Sequence, residues 1–253
     1  MKTRHNILKP ELIYLVLAIL VYIIAVFTLN MHNLGGEPFY LRAIEPVFSP
    51  ASVLELAMPI IPILIAYQII DYYWFTSVKE WTLVRIGSSK QLLKKELAIL
   101  SKKIGSYTLL AWLFSCLTLY LQSFLLNYRN FPVTTGVISK YGSGFGIIIL
   151  LMAAFLTNLA IALLTVVFTF IANKKWQVLV GSVLTEMVLP ILLFEINLLP
   201  ENLMPINILN QLIIAESNKQ TATLTAFAFL AVVLLVEGLI ITLCVKVRNR
   251  KGY

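Results

Sequence analysis

Apolar residues run along this chain in blocks of about 20, separated by shorter polar stretches, and block length is the first thing to interpret. Six blocks, near 11–30, 53–73, 104–126, 146–172, 177–197 and 222–245, are each long enough to cross a hydrocarbon core of roughly 30 Å as a helix. The fold expected is all-α: a polytopic membrane protein of six transmembrane helices forming one transmembrane domain over residues 1–253.

One interval breaks the pattern. Between the second and third blocks lies the loop 74–103, and within it seven of the twenty residues from 77 to 96 are charged. Over 77–86, Val78, Trp81 and Arg85 share a face with Leu83, Val84 and Ile86 nearby, which predicts a short amphipathic helix lying on the membrane surface. Gly87 stops it. Ser88 and Gln91 have the spacing of a capping box, so a second helix should begin there, and Leu93, Leu97, Leu100 and Ile104 carry it into the third span.

Turn chemistry fills in the other connections. Gly35, Gly36, Pro38, Pro46 and Pro50 make the segment 31–52 irregular, and Pro59 with Pro62 would bend the second span unless Pro59 sits in its opening turn. The stretch "KYGSGFG", with Gly142, Gly144 and Gly146, lacks the Lys-Ser/Thr of a phosphate-cradling loop and is expected to be a flexible connection. Before the sixth span, Pro205 is placed to open a helix, and Asn207, Asn210 and Gln211 fall on one stripe of an otherwise apolar run ending at Ala215. Eleven residues rise only about 16 Å, so this segment is expected to be re-entrant or interfacial.

Composition agrees with the pattern: of 253 residues, 59% are hydrophobic and 13% charged, too little polar surface for a soluble domain of this length. The net charge of +8 would suit nucleic acid, but its placement argues otherwise. With the N-terminus inside, 16 of the 20 lysines and arginines fall on the inner segments and only Arg42, Arg129, Lys140 and Lys219 on the outer ones. That bias follows the positive-inside rule and predicts both termini in the cytoplasm, with membrane lipid and not nucleic acid as the partner of the basic residues. No small-residue cleavage site follows the first block, so it is expected to be a retained span that also targets the chain.

Little points to catalysis. Cys116 and Cys244 fall inside spans with no CxxC and are expected to be packing residues. His5 and His32 lie on opposite sides of the membrane in this topology, so no catalytic or metal site is expected. Two carboxylates stand apart, Glu186 in the fifth span and Glu237 in the sixth, well away from the span ends. A charged residue at that depth costs roughly 2.5–3.5 kcal/mol on insertion scales. Each therefore either contacts a transport pathway or joins helices as a protonated or hydrogen-bonded group.

The order Glu80-Trp81-Thr82-Leu83, then Gly87-Ser88-Ser89-Lys90, then Leu92-Leu93 and Lys95, resembles the cytoplasmic loop of ABC-2 type transporter permeases. Six spans, inner termini, a long charged loop between spans two and three and a short re-entrant element before span six extend the resemblance to most of the chain as architecture. Gly87-Ser88-Ser89 stands where many members carry a proline. The resemblance implies a coupling helix that docks on a separate cytoplasmic ATP-binding subunit, with Val78, Lys79, Glu80, Trp81, Thr82, Val84, Arg85, Ser88 and Lys90 as the docking and lever residues. It also implies a second permease subunit, identical or related, with ATP and Mg in the partner and no cofactor in this chain. The cargo it suggests is an amphipathic peptide, a lipid-linked molecule or a drug exported through a bacterial cell membrane. Two other classes stay open: a six-helix substrate-capture protein of an uptake system, which would have a short loop at 74–103, and an intramembrane enzyme, which would need a convergent polar cluster within the spans.

Overall fold

A computed structural model describes residues 60–74, 89–125, 143–172, 174–188 and 220–250, and every element among them is helical. They form α1 (Ile60–Trp74), α2 (Ser89–Leu125), α3 (Ser143–Ile171), α4 (Lys175–Val183), which runs on into a π-helical turn (Leu184–Val188), and α5 (Gln220–Arg250). The first apolar block, the segment 75–88 and the re-entrant candidates Pro205, Asn207, Asn210 and Gln211 lie outside the described residues.

The central element is α3, against which α1, α2, α4 and α5 all pack. Its sequence explains why it can touch so many neighbours. No residue in it is charged, and the buried Ala153, Ala154, Ala160 and Ala162 let adjacent backbones approach closely. Its hydroxyls cause no penalty, because the buried Thr157 and Thr165 donate back to the carbonyls of Ala153 (3.0 Å) and Ile161 (3.3 Å) within the helix.

The main core gathers Ala66, Ile69 and Ile70 of α1, Leu93, Leu100 and Ile104 of α2, Ala162, Val166 and Val167 of α3, and Ile241 and Val245 of α5. These residues come late in α1, α3 and α5 but early in α2. The first three helices therefore bring the same end to the core and α2 brings the opposite one. The spacing that predicts α2 is the spacing it buries: Leu93, Leu100 and Ile104 are in the core and Leu97 packs against it.

Two stretches, Gln91–Phe114 and Gly144–Ile171, are long and apolar enough to cross a membrane. The outward face of α2 changes character along its length. Lys94, Lys95 and Lys102 are exposed early, and Leu109, Leu113, Leu117 and Leu121 are exposed later. On α5, Leu235, Leu239 and Leu243 are similarly exposed.

Three local expectations need correction or refinement. The flexible connection expected at "KYGSGFG" ends sooner than its glycines suggest, because α3 starts at Ser143 and holds Gly144 and Gly146 in its first turn; nothing lies within 4 Å of where a Cβ would stand on Gly144. Pro62 is the third described residue of α1, which runs as helix from Ile60 to Trp74; Pro59 lies outside the described residues. The fifth block does not continue as a plain α-helix but widens at Leu184–Val188. Just before that turn the buried Ser182 hydroxyl donates to the Val178 carbonyl at 2.8 Å within the helix.

Candidate functional site

The carboxylates singled out in the sequence fall on two helices that share α3 as their packing surface. Glu186 sits in the π turn at the end of α4. Turns of this type inside helices occur often at functional sites, because the extra residue pushes a side chain out of the regular helical register. What places α4 against α3 is a tight contact: a Cβ built on Gly181 would stand 2.9 Å from Cδ1 of Phe168, so only glycine allows this approach without a shift. Below it, Lys174 caps α4, its N–H donating to Oε1 of Gln177 at 3.0 Å.

Glu237 lies midway along α5, and only 7% of its surface is exposed. Its Oε2 has no hydrogen-bond partner among the described residues. A buried carboxyl oxygen without a partner among the described residues is costly between apolar helices.

A second polar feature ties α2 to α3. Asn158 donates from Nδ2 to Oγ1 of Thr108 at 3.1 Å, and the Thr108 hydroxyl donates in turn to the Ile104 carbonyl at 2.9 Å. Close by, Gly105 rests on the Phe155 ring, with 3.5 Å from its would-be Cβ to Cε2. Sequence reasoning missed this link, although an asparagine in the run "FLTNLAIALL" is a visible signal. Gln68 Nε2 and Trp112 Nε1 are further buried polar atoms without a partner among the described residues.

No family model, curated protein or solved structure matches the chain.

Of the docking residues named from the sequence, Val78, Lys79, Glu80, Trp81, Thr82, Val84, Arg85 and Ser88 lie outside the described residues, while Lys90 is the second residue of α2. Cys116 and Cys244 are both free thiols. Among the described residues no group of three or more His, Cys, Asp or Glu side chains could hold a metal ion.

Proposed function

We propose that this chain is the membrane-spanning permease subunit of an ATP-driven exporter of the ABC-2 type. It would have six spans, cytoplasmic termini, a partner ATPase that binds ATP and Mg, and a second permease subunit, in a bacterial cell membrane. The observation that carries the reading is the charged stretch 74–103, whose second half is the start of α2. A charged, amphipathic sequence with the family-like order of Glu80, Thr82 and Gly87 precedes one unbroken helix, Ser89–Leu125, in which Lys90 is the second residue.

Such a helix suits a motor that pushes from one side. At 37 residues and about 1.5 Å each it is some 55 Å long, more than a bilayer core of roughly 30 Å requires. The surplus extends beyond the core, as the exposed lysines of its first turns would need. Its apolar side is held against α1, α3 and α5 through Leu93, Leu100 and Ile104, so a displacement at its start is carried into the bundle. Glu80 and Arg85 would be the docking charges, Trp81 and Val84 the apolar contacts. The opposite direction of α2 relative to α1, α3 and α5 also fits alternating spans.

The test is a cysteine crosslink from Val84→Cys, in a chain whose Cys116 and Cys244 are replaced, expressed with its genomic neighbours. Capture of a soluble ATPase is the expected result. A label at position 84 found only in lipid, with nothing soluble captured, would overturn the reading and favour the substrate-capture or enzyme classes.

A further inference from the structure

Three exposed lysines gather at one end of the bundle, and the main core fixes their level. Lys102 stands between Leu100 and Ile104 of α2, and Lys246 follows Val245 of α5. Lys174 comes three residues past the end of α3, the helix that contributes Val166 and Val167. Those core residues pack as one cluster, so helix contacts bring the three lysines to the same end. Lys102, Lys174 and Lys246 are all exposed, whereas Glu96, the acidic residue of α2, is buried.

Apolar surface continues from them in one direction. On α2 the exposed Leu109 comes seven residues after Lys102, or about 10 Å, and Leu113 and Leu117 extend the stripe. On α5 the order is reversed, with the exposed Leu235, Leu239 and Leu243 preceding Lys246. Because α2 brings its start to the core and α5 its end, both stripes lie on the same side of the lysines. At the third position Ile171 and Trp176, 66% and 58% exposed, bracket Lys174. Tryptophan and lysine side by side suit the level where headgroups meet acyl chains. An acidic protein surface would match the charge and leave the neighbouring apolar side chains uncovered, whereas a phospholipid satisfies both.

We propose that Lys102, Lys174 and Lys246 form a collar that binds the phosphate headgroups of anionic phospholipid, with Ile171 and Trp176 set into the adjoining acyl region. The collar rests on the membrane-spanning reading and not on the presence of an ATPase.

The experiment uses the full chain in nanodiscs of phosphatidylcholine, with and without phosphatidylglycerol at one ionic strength, and follows thermal unfolding by tryptophan fluorescence. Phosphatidylglycerol should raise the wild-type midpoint by a few degrees. The gain should be lost when Lys102→Gln, Lys174→Gln and Lys246→Gln are combined, and kept when the same three are changed to arginine. Each single Lys→Gln variant should lose part of it, so the test does not depend on the triple variant folding. Combining Lys90→Gln, Lys94→Gln and Lys95→Gln removes as much charge farther from the leucines and should keep the gain. The proposal is overturned by equal midpoints in the two lipids, by a gain that survives the Gln changes in the collar, or by an equal loss in the Lys90, Lys94 and Lys95 variant. It is also overturned if inorganic phosphate gives the same rise in phosphatidylcholine alone, which would mean a free-anion site. The Val84 crosslink needs a motor and this result needs only lipid, so either can fail alone.

Discussion

Asn158 and Thr108 link α2 and α3 by a side-chain bond of 3.1 Å. Within a membrane such bonds contribute about 0.6 kcal/mol on average and at most about 1.7. A double-mutant cycle with Asn158→Leu and Thr108→Val should return a coupling energy in that range; a value indistinguishable from zero would mean that the bond adds nothing. Glycines give a sharper contrast. Gly181→Ala forces a methyl to 2.9 Å from Phe168 and should destabilise by about 1–3 kcal/mol, the usual cost of overpacking. Gly105→Ala meets Phe155 at an ordinary 3.5 Å and should be close to neutral. Melting midpoints of the two variants check the difference. At this scale the sequence was legible where one residue carries its own signal. Glu186 and Glu237 stood out because charge in an apolar run is expensive by itself. Asn158 did not, since its partner lies 50 residues away, and the role of Gly181 exists only once Phe168 is beside it.

Among elements, α2 was the most legible, because leucines spaced by four and three residues need no tertiary information to define a face. Its use as a rigid rod can be tested at Ala98, whose side chain is exposed. Ala98→Pro removes a backbone bond without disturbing the core and should cost about 3 kcal/mol, against about 1 kcal/mol for Ala98→Gly. Equal midpoints for the two variants would show that the first turns of α2 are not held as continuous helix. Less legible were the start of α3 and the end of α4. Gly144 and Gly146 read as punctuation, yet a glycine in a first helical turn costs little when packing holds the rest of the helix. The π turn at Leu184–Val188 had no sequence signature, since no glycine or proline within it marks a break.

For the whole molecule, the switch from lysine to leucine on the outward face of α2 sets an expectation about depth. Spin labels at Lys94 and Lys102 should collide with a water-soluble relaxant, and labels at Leu109, Leu113 and Leu117 with oxygen dissolved in lipid. A uniform response along the helix would contradict the membrane reading. The alternation of apolar blocks made an all-helical fold legible, but not which helix would be central. That depends on the absence of charge and the abundance of alanine in α3, which become meaningful only when four neighbours converge on it. An uncharged, alanine-lined helix is a bearing surface. Helices packed on it meet no charged side chain of α3, so shape, together with the bond between Asn158 and Thr108, sets the register of α2 against it.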